Sequence, residues 1–264
     1  MNARDRDLVA DLCARLAGLR VEADKTYLLE NRLAPVARRE GYGSVHDLVA
    51  AVRDRDDKRL AWAVVEAMSP AETAFFRDEA ALEAAVGDLC LKSGEGSLSR
   101  VWVAGCGTGQ EAYSIAMLLH ERAALVGVEL FATDLSERRL EVAQVGHYSQ
   151  FEVQRGLSAR RLVRHFESQE TGFGLSPHLR RSIRWGRANL LDDLARLGKF
   201  DLIVCRRPLS RLLDAARERV IIGLAGALKA DGRLMLDGDQ VGAHLVAQAD
   251  RPGVYVPRSV RAAA

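Results

Sequence analysis

One stretch limits what this chain can fold into more than any other: Val101 to Ser136, VWVAGCGTGQEAYSIAMLLHERAALVGVELFATDLS. A short apolar run, Val101-Trp102-Val103-Ala104, breaks at Gly105, Gly107 and Gly109 and passes into Glu111 to Leu119, whose apolar residues recur at helical spacing. A second apolar run, Val126 to Ala132, ends on Thr133-Asp134. The order strand, glycine turn, helix, strand is a βαβ unit with a carboxylate at the tip of its second strand.

Such a unit is built to hold a nucleoside. Glycines let the backbone approach a ligand, the helix start offers N–H groups to an anion, and the tip carboxylate can accept from a ribose diol. A nicotinamide site wants G-x-G-x-x-G, but the residue after Gly109 is Gln110. G-x-G-x-G followed by an acidic residue suits S-adenosylmethionine instead. That ligand has no pyrophosphate, but it has an α-carboxylate for the helix start and an α-ammonium for Glu111.

At 264 residues the chain accommodates a main domain and a smaller companion. A hydrophobic share of 48% with 28% charged residues is that of a globular protein with a core. The net charge of +2 is too small to argue for nucleic acid, although the charge is unevenly placed. From Arg155 to Arg187 eight arginines stand against Glu167 and Glu170, which predicts one basic patch. Cys13, Cys90, Cys106 and Cys205 lie far apart with no C-x-x-C, and no histidine stands at metal-ligand spacing. Reduced thiols and no metal are expected. The start MNARDRDLVADL has no apolar leader and no run reaches the ~20 apolar residues that span a bilayer, so a cytoplasmic protein without membrane insertion is expected.

Along the chain, residues 1–68 read as a small all-helical domain. Helical stripes start near residue 4 and at Lys25, Pro35 should kink or break the second, Ser44 with Asp47 resembles a capping box, and Leu60 to Met68 makes a fourth helix. Residues 69–99 read as a linker holding Thr73-Ala-Phe-Phe-Arg77 and a helix at about 79–91. The main domain, 100–264, alternates strands and helices, which predicts an α/β fold with a doubly wound, mostly parallel sheet. Phe166, Phe173 to Leu175 and Ile183 to Trp185 look like short antiparallel or edge strands. Ligands bind such sheets at the carboxyl ends of strands, which puts Gly105, Asp134, Asn189 and Arg206 on one rim.

These residues together resemble the CheR-type chemotaxis receptor methyltransferases, which methylate receptor glutamates using S-adenosylmethionine. The resemblance rests on Lys25…Leu28-Leu29…Arg32-Leu33, Thr73-Ala-Phe-Phe-Arg77, Trp102 to Met117, Ala132-Thr-Asp134-Leu, Phe200-Asp-Leu-Ile-Val-Cys-Arg206 and Pro252-Gly-Val-Tyr255. It implies that Thr73 and Arg77 touch the cofactor from the helical side, Glu111 holds its ammonium, Asp134 its ribose, and Asn189, Leu190 and Arg206 line the remaining wall. Arg77 is the implied catalytic residue, orienting the acceptor carboxylate. S-adenosyl-L-homocysteine is the implied product, and the implied partner is the cytoplasmic helical domain of chemoreceptors or a related signalling protein, with no nucleic acid. A small antiparallel subdomain is implied at about 162–185.

The chain departs from the family in one stretch. Where the family reads C-R-N-V-x-I-Y-F, this chain has Arg207 for the Asn and Arg211 for the Tyr, and the family's G-H-S-E is Asp237-Gly238-Asp239-Gln240. Since the family's tyrosine sits by the transferred methyl, an alternative is a member that binds the cofactor but acts as an adaptor. A nucleic-acid methyltransferase is less well supported, because stacking aromatics are scarce among the basic residues.

Overall fold

The computed structural model describes residues 1–22, 25–55, 57–70, 72–93, 98–237 and 243–258. Two compact units emerge, Met1–Pro70 with Pro208–Val220, and Ala71–Arg207 with Ile221–Ala264.

The first unit is helical: α1 (Ala3–Ala17), α2 (Thr26–Arg39), α3 (Val45–Arg55) and α4 (Lys58–Met68). Asn2 and Asp5 form a reciprocal capping box on α1, and Gly18 ends it in the left-handed region at φ 63°. Pro35 does not break α2 as its sequence predicts. Its missing N–H removes one rung only, and buried Leu29, Leu33, Val36 and Ala37 hold the helix on both sides. Ser44 caps α3 as expected, its Oγ accepting from the Asp47 amide at 3.1 Å.

Pro208–Val220 belongs to this unit, so the sheet domain does not run unbroken from 100 to 264. The cause is backbone pairing: Arg20 N donates to Arg211 O at 2.7 Å and Leu213 N to Gly18 O at 2.8 Å. Leu19 and Leu212 form the bridge between them, and Arg20 pairs with Asp214 at 2.9 Å. Arg211 lines a cavity of about 200 Å³ in this unit, with Leu19, Glu22 and Leu29.

The second unit holds, in order, α5 (Glu79–Ser93), β1 (Ser99–Ala104), α6 (Gln110–Glu121), β2 (Val128–Asp134), α7 (Glu137–Val145), β3 (His147–Tyr148), α8 (Gln150–Gln154), α9 (Ala159–His165), β4 (Phe166–Gln169), β5 (Gly172–Leu175), α10 (Pro177–Arg181), β6 (Ile183–Arg187), β7 (Phe200–Val204), α11 (Asp214–Ala227), β8 (Leu228–Met235), β9 (Leu245–Ala247) and β10 (Val254–Pro257). The unit boundary falls inside α11. Among the described residues the large sheet has seven strands in the order β6-β2-β1-β7-β8-β10-β9. The first five pair parallel, and β10 and β9 are antiparallel. This is the mostly parallel, doubly wound sheet the alternating pattern predicts. Its central strands are covered on both faces, which is why Val101 to Ala104 and Leu202 to Val204 read as unbroken apolar runs and are all buried.

Thr73 to Arg77 is part of this unit rather than of a linker. Phe75 and Phe76 are buried in its core, Phe75 meeting the ring of Tyr148 edge-on at 5.0 Å and that of Phe166 at 5.7 Å. Gly156 is required here, because a Cβ on it would come within 2.0 Å of the Phe75 carbonyl oxygen.

The small antiparallel sheet is β3-β5-β4, so it takes its third strand from His147–Tyr148 and ends at Leu175. The boundaries expected at 162–185 need correcting at both ends. Ile183–Arg187 is instead an edge strand of the large sheet, parallel to β2, with Ile183 opposite Leu130 and Trp185 opposite Ala132.

Candidate cofactor site

The sheet order reverses direction between β1 and β7: from β1 the chain moves outward to β2 on one side and later returns to β7 on the other. A crevice opens at the carboxyl ends of such a pair. The register aligns those ends, with Val103 opposite both Ala132 and Val204. The glycine turn leaves β1 here, with φ of 77° at Gly105, 58° at Gly107 and 94° at Gly109. The amides of Gly105 and Cys106 both donate to Thr133 O, at 2.8 and 2.9 Å, and fold the turn over the tip of β2.

Asp134 closes the turn. Its Oδ2 accepts from the Gly107 amide at 2.8 Å, and its Oδ1 accepts from the Ser136 amide at 2.9 Å and from Arg139 Nη1 at 3.3 Å. Of the carboxylate's about four acceptor positions, three are taken, which leaves room for one hydroxyl rather than a diol pair. Gly109 serves a different end from ligand approach. A Cβ there would meet Ala143 and Trp185 at 3.0 Å and Tyr113 at 3.3 Å, so its open side is filled by protein.

Past the glycine turn lies a cluster of charges. Glu111, in the first turn of α6, faces Arg206, just past β7, with Nε to Oε1 at 3.4 Å. Arg206 is buried at 4% exposure, and its Nη1 donates to the Arg77 carbonyl at 2.8 Å. Its Nη2 is buried with no hydrogen-bond partner. Burial pushes the Glu111 carboxyl up from the usual range, Arg206 opposes that, and Asp237 adds to it. Arg77 itself pairs with Asp237 at 3.0 Å. It stands between Phe76 and Asp78, both in the left-handed region at φ 46° and 51°. A bulky residue there is strained, and the Phe76 amide is held by Ser114 Oγ at 2.9 Å. Arg207 pairs with Glu72 at 3.3 Å, and burial beside Arg77 lowers its pKa from the usual arginine value.

The structure therefore gathers Gly105, Gly107 and Asp134 in one group, and Glu111, Arg206 and Arg77 in another. Asn189 joins the first group: Ala188 N donates to Asp134 O at 3.1 Å, and Asn189 Oδ1 then accepts from the Leu191 amide at 3.2 Å. Leu190 and Thr73 are half-buried. Reading the sequence alone missed Asp237 and Glu72 as partners of the arginines. The signal for Asp237 was its place just after β8, at another carboxyl end. Gly238 to Gln240, in the departing stretch, lie outside the described residues.

These features fit S-adenosylmethionine. The unpartnered Nη2 of Arg206 is a built-in donor for an anion, Glu111 a carboxylate for an ammonium, and the left-handed glycines an approach for a nucleoside. The sequence matches the family described as CheR methyltransferase, SAM binding domain, over residues 71–243. It is 32% identical over 246 residues to chemotaxis protein methyltransferase 1 of Pseudomonas aeruginosa, covering 89% of each chain.

The chain belongs to the CheR methyltransferase family.

A chemotaxis protein methyltransferase of Pseudomonas putida is 31% identical over 236 residues, 86% of each chain. A TehB-like S-adenosylmethionine-dependent methyltransferase from Corynebacterium glutamicum aligns over 67% of this chain and 85% of its own, at 16% identity and a TM-score of 0.39, too low to add to what the sheet order shows. The protein is an S-adenosylmethionine-dependent methyltransferase, and the reading as an adaptor without catalysis is not favoured. Among the described residues no helix is long and apolar enough to cross a membrane.

Proposed function

We propose that this CheR-family enzyme methylates glutamate side chains on the cytoplasmic helical domain of chemoreceptors, giving methyl esters, and that it does so in the cytoplasm. The observation that carries the reading is the paired Glu111 and buried Arg206, with one guanidinium nitrogen left open, at the carboxyl ends of β1 and β7. S-adenosylmethionine supplies a methyl group on a positively charged sulfonium. In this reading Glu111 holds the cofactor's ammonium and Arg206 its carboxylate. Asp134 takes a ribose hydroxyl, and Thr73, Asn189 and Leu190 line the walls.

The acceptor needs little help. A glutamate carboxylate, with a solution pKa of about 4.3, is already an anion at neutral pH, so no general base is required. The residues' task is alignment and exclusion of water. Arg77, about two-fifths exposed and held by Asp237, is suited to orient the incoming carboxylate. Its hold must be loose, because tight pairing would stabilise the charged ground state more than the charge-neutralised transition state.

The test is methyl transfer from labelled cofactor to a purified receptor cytoplasmic fragment. Expected is base-labile label on the fragment, lost when the receptor glutamates are changed to alanine. Base-stable label, or label on nucleic acid and none on the fragment, would overturn the reading.

A further inference from the structure

Three histidines that stand far apart in the sequence meet at the end of α6 remote from the glycine turn. His120 lies in the last turn of α6, His165 ends α9, and His178 sits in α10. One ring nitrogen from each lies within 4.8 Å of the other two. The rings of His120 and His165 meet edge-on with centroids 5.5 Å apart, and those of His120 and His178 are 4.6 Å apart. We propose that His120, His165 and His178 bind a divalent transition-metal ion of the zinc, cobalt or nickel class.

Packing alone does not account for the arrangement. His165 is 1% exposed, and its Nδ1 and that of His120 are both buried without a hydrogen-bond partner. A buried polar atom left unpaired is costly, and a ligand shared by the cluster would relieve it. The other nitrogen of His165, Nε2, faces Glu121 Oε1 at 3.3 Å. A carboxylate behind a ligating imidazole fixes its tautomer and raises its basicity, which is how metal-binding histidines are commonly held. Glu121 is itself fixed by Arg161, from Nε at 3.1 Å and Nη2 at 3.2 Å.

The charge balance allows a cation. Arg161 is offset by Glu79, Glu83 and Glu121, which leaves Arg164 beside His165 and Arg181 beside His178 as the opposing charges. His178 is exposed, giving the ion a way in and leaving a fourth position to water. Imidazole donors suit zinc, copper, nickel and cobalt rather than magnesium or calcium. Metal–nitrogen bonds of about 2.0–2.1 Å require the three rings to draw closer than they stand in this structure. A bound ion would pin α9 and α10 to α6. Nothing in the sequence points to it, because spacing rules find ligands on one segment and these come from three.

The test is titration of the full chain with Co²⁺, followed by visible absorption, and with Zn²⁺ by equilibrium dialysis. Expected are one ion per chain, the intense visible bands of four-coordinate cobalt, and a melting temperature that rises with zinc. His178→Ala removes an exposed side chain and should leave the circular dichroism spectrum unchanged while abolishing stoichiometric binding. Glu121→Gln should weaken binding by about 10–100-fold. Absence of stoichiometric binding overturns the proposal. So does binding that survives His178→Ala, which would place the ion elsewhere, for instance at His46, His147 or His244.

Discussion

Arg161 and Arg206 are two guanidinium groups of the same unit, both largely removed from water, and their surroundings differ. Each guanidinium nitrogen of Arg161 meets a carboxylate. The side chain reaches Glu79, Glu83 and Glu121, and its guanidinium carbon lies 4.0 Å from the centre of the Phe76 ring. Burial alone would lower its pKa, but Glu121 and Glu79 outweigh that and hold it raised. Arg206 has one carboxylate, at 3.4 Å, one backbone carbonyl and one nitrogen with no partner, although at 3% side-chain exposure it is the more buried of the two. A guanidinium whose every nitrogen is met within the protein stabilises the fold. One buried with a donor to spare sacrifices stability, and a ligand recovers it.

The largest effect that sharpens this contrast is on folding. Arg161→Ala should lower the unfolding free energy by about 3 kcal/mol, the lower end for breaking a buried pair, because Glu79 and Glu83 can rehydrate while Glu121 cannot fully. Denaturant unfolding measures it, and the folded fraction should bind S-adenosylhomocysteine as before. Loss of cofactor affinity in that fraction would erase the distinction between the two arginines.

Next comes the converse change. Arg206→Lys keeps the charge but loses the fork, so cofactor affinity should fall by about 1.5–3 kcal/mol, the range for hydrogen bonds to charged groups. Calorimetric titration reads it, and unaltered affinity would mean that the open nitrogen meets no ligand. Asp134→Ala should cost somewhat less in affinity, about 1–2 kcal/mol, because three of its acceptor positions already serve the protein. A folded variant with full affinity would remove Asp134 from the site.

The two arginines also show what the sequence discloses. The glycine turn, Glu111 and Asp134 were legible because each lies a fixed step from a strand end, and local periodicity reveals strand ends. Arg206 was legible by the same rule, through the run Phe200 to Cys205. What stayed hidden was pairing across distance. Nothing local says that Ile183–Arg187 aligns with β2 rather than with β5, that Pro208–Val220 pairs with Gly18 and Arg20, or that Arg77 meets Asp237. The basic patch shows the limit most clearly. Arg161 is spent on three carboxylates and Arg184 faces Glu129, whereas bonds to the neutral carbonyls of Val145 and Leu135 leave the charge of Arg180 and Arg187 in place, so a count of arginines does not say which of them offer charge to a partner.

A smaller effect separates carboxylates in the same way. Glu129 accepts from Arg100 at 2.6 Å, and that hydrogen bond holds its carboxyl below the usual value of 4.5, whereas burial pushes Glu111 up. The sign follows directly. Stability from Glu129 is complete above pH 4.5 and is lost as the pH falls through its lowered value, while protonating Glu111 relieves a cost. Glu129→Gln should therefore flatten the acid side of the stability profile and lower stability at neutral pH by less than about 1 kcal/mol, as expected for a partly exposed pair. An unchanged acid slope would show that the pair contributes nothing.

The smallest effect concerns the residue that departs from the family. The family resemblance puts Arg211, in place of the tyrosine, beside the transferred methyl with Arg207 four residues before it, and charge added there would favour the neutral product over the cofactor. Arg211 belongs to the helical unit, so only Arg207 shares the unit of Glu111 and Arg206, and it pairs with Glu72. Burial and Arg77 lower the pKa of Arg207, and Glu72, Glu111 and Asp237 oppose them in part, so carboxylates meet some of its field. Arg207→Asn should then raise the affinity ratio of S-adenosylmethionine to S-adenosylhomocysteine only modestly. Two unit charges 4 Å apart in water interact by about 1 kcal/mol, which sets a ceiling of roughly fivefold. Parallel calorimetric titrations of both ligands give the ratio directly. A shift well above fivefold would mean that Arg207 sits against the sulfonium in a dry pocket and that Glu72 does not neutralise it, and turnover of the unmodified chain should then be slow. No shift would leave Arg207 a surface ion pair and return attention to Arg206 as the arginine that faces the cofactor.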